Sequence, residues 1–131
     1  MAIDGMNHFT VLTSDLEKCK TFYIDVLGLT EGYRPSFTFP GAWLYSGEQA
    51  ILHIIAGRPL PADVQGVIDH MAFTGSNLQS VIDTLSQHGI AFKLHRLVDQ
   101  QTWQLFCHDP DGAKVELDFA ASEPEPRIPI T

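Results

Sequence analysis

Apolar and polar residues alternate over several short stretches of this chain, and twice that period of two gives way to one near 3.6. From Asn7, the sequence NHFTVLTSDL sets Phe9 and Val11 against His8 and Thr10, then Leu16, Cys19, Phe22, Tyr23 and Val26 recur at helical spacing. Ser14 stands where a helix cap belongs, Glu17 three residues on would complete a capping box, and Gly28 suits a left-handed exit. The same succession returns at Asp69–Leu78, DHMAFTGSNL, where Met71 and Phe73 oppose His70, Ala72 and Thr74. Leu78, Val81, Ile82 and Leu85 then form a helical stripe that Gly89 closes. Three extended segments follow each predicted helix: Thr30–Phe39, Ala42–Ser46 and Ala50–Ala56, then Ala91–Val98, Thr102–His108 and Lys114–Phe119. Asp109-Pro110-Asp111-Gly112 reads as the turn before the last, with Asp109 and Asp111 shaping it.

The chain therefore repeats a β-α-β-β-β unit, an α+β pattern of two tandem modules. At an offset of 62, His8 falls on His70, Ser14 on Ser76, Asp15 on Asn77 and Leu16 on Leu78; at an offset of 63, His53 falls on Glu116. The expected organisation is a first module over 1–56, a linker over 57–68 with Pro59 and Pro61, a second module over 69–120, and a loose Pro-rich tail over 121–131.

Composition narrows the function classes. With 131 residues, 44% hydrophobic and 18% charged, the chain has the make-up of a folded globular domain. Its formal charge of −8, without a basic stripe, disfavours nucleic acid as a partner. The longest apolar run, Ala50 to Ala56, is interrupted by His53 and too short for a bilayer. The opening MAIDGMNHF has no basic region followed by an apolar core, so no secretory signal is expected. Cys19 and Cys107 read as thiols packed in a core rather than as a disulfide framework, which fits a cytoplasmic protein.

The alternation also assigns faces. Val115, Leu117 and Phe119 oppose Lys114, Glu116 and Asp118, so His8, His70 and Glu116 all fall opposite the apolar faces suited to packing under helices. One such residue alone could simply meet water. Two histidines and a carboxylate on one face make the donor set of a facial triad with open positions, suited to divalent Fe, Mn, Ni, Co or Zn. His53 shares its face with Ile51 and Ile55, so a core histidine and a fourth ligand both stay open.

Taken in order, NHFTVLTSDLEKCKTFYIDVLGL, IDHMAFT and HDPDGAKVELDF resemble the vicinal oxygen chelate superfamily of glyoxalases, epimerases, extradiol dioxygenases, fosfomycin-resistance transferases and drug-binding (bleomycin resistance) proteins. The resemblance spans Met6 to Phe119. It implies two modules forming a cup-shaped, partly closed mixed sheet with helices outside, a homodimer, and a metal bound by His8, His70 and Glu116, with His53 at an optional fourth position. A metal-dependent lyase or isomerase follows, in which the metal polarises vicinal oxygens of a small substrate and a carboxylate moves the proton. Glu116 is then the candidate base. His53 stands where glyoxalases carry a Glu or Gln ligand, and is the second catalytic candidate.

Two other activities within the resemblance are weighed against residues. An extradiol iron(II) dioxygenase would carry a tyrosine where this chain has Phe106, and would need a histidine base such as His53 or His108. A fosfomycin transferase would carry an arginine where Glu125 stands, and a glyoxalase an arginine where Tyr33 stands, with Arg34 next to it. A non-catalytic drug-binding protein is the alternative of a different class; such members lack the metal ligands. Trp43, Tyr45, Trp103, Phe37 and Phe39 fall on predicted strands, where packing or lining an apolar pocket would occupy them. Arg34, Arg58 and Arg96 could each meet a substrate carboxylate, His88 suits a helix C-terminus, and His95 has no assigned partner.

Overall fold

The computed structural model describes residues 2–97, 99 and 102–128. Its chain divides into two compact units, Met1–Ala62 and Asp63–Thr131. In the first, β1 (Phe9–Thr13) leads to α1 (Leu16–Thr21), which passes directly into a π-helical turn, Phe22–Val26. β2 (Thr30–Glu31), β3 (Gly41–Ser46) and β4 (Gln49–Ala56) follow. The second contains β5 (Met71–Thr74), α2 (Leu78–Gln87), β6 (Lys93–Leu97), β7 (Thr102–His108) and β8 (Lys114–Phe119). The sheets have equivalent orders, β1-β4-β3-β2 and β5-β8-β7-β6. In each the first strand runs parallel to the last and the remaining pairs are antiparallel. This is the predicted α+β pair of βαβββ modules.

Alternation decides which face of each sheet is buried. In the first unit Val11, Thr13, Ala42, Leu44, Leu52, Ile54 and Ala56 are buried, together with Cys19, Phe22, Tyr23 and Val26 from the helix and turn. The wider π turn lets the consecutive residues Phe22 and Tyr23 both reach the interior, where their rings meet edge to face at 4.9 Å. In the second unit Leu78, Ile82 and Leu85 of α2 are buried, as are alternate residues of β7 and β8, from Trp103 to Cys107 and from Val115 to Phe119. Each such buried Leu or Ile contributes roughly 1.5–3 kcal/mol. Both cysteines are free and buried, and burial pushes the Cys107 thiol up to about 12, so it stays protonated and packs as an apolar group.

Four expectations change. The first helix is capped by Asp15, which accepts from the Lys18 N–H at 3.1 Å, not by Ser14; the Thr13 hydroxyl binds both ends of Asp15's backbone and sets that residue at the cap. The strand expected over Thr30–Phe39 ends at Glu31. Pro35 and Pro40 lack a ladder donor, and Arg34 instead closes a loop by donating to the Phe39 carbonyl at 2.8 Å. Phe37 and Phe39 therefore sit in a loop, not on a strand. Finally, the segment after Phe119 is tied down as far as it is described. The Glu123 carboxylate accepts from Asn77 N and Leu78 N, both at 2.9 Å, and the Arg127 backbone exchanges hydrogen bonds with the Gln79 side chain. Residue 98, where a predicted strand was to end, and residues 129–131 of the predicted tail lie outside the described residues.

Candidate functional site

Each unit sets two of the four candidate ligands side by side on the face of its sheet opposite the buried alternation. In the first unit His8 lies just ahead of β1, while His53 lies mid-β4, in register with Thr10 on one side and Trp43 on the other. Leu52 and Ile54, either side of His53, are buried, whereas Ile51, His53 and Ile55 are only half-buried, so His53 lies on the less buried face of its sheet. The imidazoles of His8 and His53 stack with centroids 3.6 Å apart, and His53 stacks in turn on Trp43 at 3.9 Å. Burial, then the neighbouring His8 and Arg34, holds the His53 ring below the usual histidine range, against a backbone hydrogen bond at Ala50 that acts the other way. It is a neutral imidazole at pH 7, the form that donates a lone pair to a metal.

In the second unit His70 lies just ahead of β5 and Glu116 in β8, in register with Ala72 and Phe106. The His70 Nε2 is 3.0 Å from Glu116 Oε1, and the second carboxylate oxygen accepts from Gln104 Nε2 at 3.3 Å. Glu116 is 7% exposed, a buried carboxylate held from two sides. Phe106 meets the His70 ring edge-on at 5.9 Å.

The two histidines share a device. His8 Nδ1 is 2.7 Å from the Asn7 side-chain oxygen, and His70 Nδ1 is 2.7 Å from Asp69 Oδ2. Only a protonated Nδ1 can donate to those oxygens, which fixes the tautomer whose Nε2 carries the lone pair. At His70 that Nε2 lies 3.0 Å from Glu116 Oε1, the spacing of two donors side by side toward one ion. The Asp69 carboxyl is held below its ordinary range, first by the His70 hydrogen bond and then by Lys114, whose Nζ is 3.4 Å away.

Asn7, Asp69 and Asp118 had no role in the sequence reading. The first two had a signal, since the offset that superposes His8 on His70 also superposes Asn7 on Asp69. Asp118 shares Glu116's face; burial, with the adjacent Glu116 carboxylate, pushes it up to about 6, and its buried Oδ1 has no hydrogen-bond partner among the described residues. Among other weighed residues, His88 Nδ1 meets the Thr84 carbonyl at the end of α2, Arg96 lies over Trp103, and Asp109 accepts from Asp111 N and Ala113 N to shape its turn.

Within either unit, among the described residues, no three His, Cys, Asp or Glu side chains gather as a metal cage; the donors come as two pairs. Their chemistry fits a divalent ion: a neutral imidazole at His53, two imidazoles with Nδ1 engaged elsewhere, and one buried carboxylate.

The chain matches known proteins over most of its length. The chain is 32% identical over 123 residues to "Glyoxylase I 4" of Arabidopsis thaliana, covering 88% of this chain and 70% of that protein. It is 29% identical over 118 residues to the glutathione transferase FosA of Serratia marcescens, covering 88% and 80%. A mutant of the fosfomycin resistance protein FosX of Listeria monocytogenes, solved with Mn(II) and 1S,2S-dihydroxypropylphosphonic acid, shares the fold at a TM-score of 0.71 and 18% identity, covering 90% of this chain and 93% of that one. No helix among the described residues is long and apolar enough to cross a membrane. A family model matches residues 5–117, and the chain belongs to the Glyoxalase/Bleomycin resistance protein/Dioxygenase superfamily, the vicinal oxygen chelate proteins.

Proposed function

We propose that this protein is a metal-dependent lyase or isomerase of the glyoxalase type, with His8, His70, Glu116 and His53 as metal ligands, working as a homodimer. The observation that carries the proposal is the duplicated device: a histidine just ahead of the first strand of each unit, its Nδ1 tied at 2.7 Å to the side-chain oxygen of the residue before it. A histidine merely exposed on a sheet face has no need of a fixed tautomer; a ligand does.

When bound, a divalent ion would polarise adjacent oxygens of a small substrate and make a neighbouring C–H more acidic. The chain's own residues supply the rest. Glu116, buried and oriented by His70 and Gln104, is the carboxylate placed to take and return that proton. Asp118, pushed up to about 6, is available to donate a hydrogen bond to Glu116 in mildly acidic solution. His53, fixed between His8 and Trp43, stays neutral and completes the donor set without adding charge. An extradiol dioxygenase is less well supported, because Phe106 offers no hydroxyl beside Glu116.

Metal content is the test. Protein stripped with a chelator and resupplied with Fe(II), Mn(II), Ni(II), Co(II) or Zn(II) should retain one ion per chain through gel filtration, and H70A should not. No retention of any of the five by the wild type would end the proposal.

A further inference from the structure

The open face of the second sheet carries a cleft of about 640 Å³ lined by Phe92, Lys93, His95, Phe106, His108 and Lys114, among others. That volume is the size of a small-molecule site. Its charge is unlike that of the rest of the protein. The chain carries 16 acidic residues against 8 basic ones, yet this cleft is lined by two lysines, two histidines and no carboxylate. The register explains the gathering. Lys93 pairs with Phe106 and Phe106 with Glu116, while His108 pairs with Lys114, so the lysines and the Phe106 ring share one face with Glu116; Lys114 is engaged by Asp69 at 3.4 Å, and Lys93 is exposed to solvent. Phe106 is the hub: His95 meets its ring at 5.7 Å, Lys114 Nζ lies 5.1 Å from its centroid, and His70 is on it at 5.9 Å.

We infer that this cleft binds the oxyanionic end of the substrate, a carboxylate or phosphate carried on a small apolar or aromatic body. Lys93 holds the anion as a solvent-facing cation, with His95 and His108 as further donors, and Phe92 and Phe106 cover the apolar body. Through Phe106 the bound molecule abuts the His70–Glu116 pair, so the cleft selects small organic acids for the reaction proposed above. The inference rests on that proposal for its catalytic meaning, but anion binding itself requires no metal.

The probes are benzoate, phenyl phosphate and the neutral benzamide, titrated by calorimetry into metal-free wild-type protein and into K93Q, with circular dichroism to verify that the variant is folded. At least one anion should bind, benzamide at least tenfold more weakly, and K93Q should lose about tenfold for that anion with little change for benzamide. The tighter of the two anions identifies the head group. Equal binding of benzamide, an unaltered affinity in folded K93Q, or anion binding only after Zn(II) or Mn(II) is added would each overturn the inference. If the protein retains no metal yet binds benzoate or phenyl phosphate through Lys93, the cleft assignment stands and the metal proposal alone fails.

Discussion

Replacing Glu116 with Gln separates a ligand from a structural carboxylate, because the two roles predict opposite balances of stability and metal response. The substitution keeps the shape of a side chain only 9% exposed and removes its charge. In metal-free protein the effects oppose each other. Loss of the carboxylate's contact with His70, whose side chain is 33% exposed, costs about 1 kcal/mol or less. Relief of the neighbouring Asp118 returns a similar amount. The metal-free Tm should therefore stay within about 3 °C of wild type.

Metal binding behaves otherwise. A site of four protein donors is worth about 10–16 kcal/mol in all, so removing its one anionic donor costs about 3 kcal/mol, roughly a hundredfold in Kd. With free metal at about a hundred times the wild-type Kd, occupancy stabilises the wild type by about 2.7 kcal/mol and the variant by about 0.4 kcal/mol. At about 3 °C per kcal/mol for a chain of this size, Tm rises by about 8 °C in wild type and about 1 °C in E116Q. Thermal unfolding followed by circular dichroism, after chelation and with or without added Mn(II) or Zn(II), reads both numbers. An equal rise in the two proteins would refute Glu116 as a ligand, and a large metal-free loss in E116Q would make it a structural residue.

Further outcomes follow from particular contacts. E123A, which removes the carboxylate capping α2 from 46 residues along the chain, should lower stability by about 1 kcal/mol and leave metal affinity unchanged; chemical denaturation and metal titration measure the two. Asp118 has a folded-state value raised to about 6 from 3.8, so the folded protein binds the extra proton and loses stability as pH rises from about 4 to about 6. Metal-free D118N should therefore gain on wild type across that window, by about 1 kcal/mol once solvent screening is allowed for, with paired melts at pH 4.5 and 7 as the check. Supplied with iron(II) and a panel of catechols, the protein should consume oxygen at the background rate, since Phe106 lacks a hydroxyl; catechol-dependent uptake would move the assignment to a dioxygenase.

Much of this was legible from spacing alone, and the exceptions have physical causes. Thr102–His108 and Lys114–Phe119 could be bounded from sequence because strict alternation there is flanked by a Pro-Asp-Gly turn. The faces of His70 and Glu116 followed from the same period. The end of β2 did not, because Gly32, Pro35 and Pro40 interrupt a stretch whose aromatic content still suggests strand, and Arg34 stabilises the loop through Phe37 and Phe39. Asp15 displaced Ser14 as cap because of the Thr13 hydroxyl, a contact between neighbours that cap preferences do not rank. The capping of α2 by Glu123 leaves no local trace at all: Asn77 sits at a left-handed φ of 64°, its side chain makes no cap bond, and the replacement comes from the far end of the unit. His53 was ambiguous because Ile51 and Ile55 are apolar, and only the burial of Leu52 and Ile54 decides which face is the interior.

The state of the histidine nitrogens tests the metal centre most directly. In a long-range proton–nitrogen spectrum of metal-free protein titrated with Zn(II), the Nε2 signals of His8 and His70 should shift together at one equivalent, with His53 following. Their Nδ1 nitrogens should stay protonated against Asn7 and Asp69, and His88 should remain still. Zinc that leaves His8 and His70 unmoved, or binds them through Nδ1, would contradict the account.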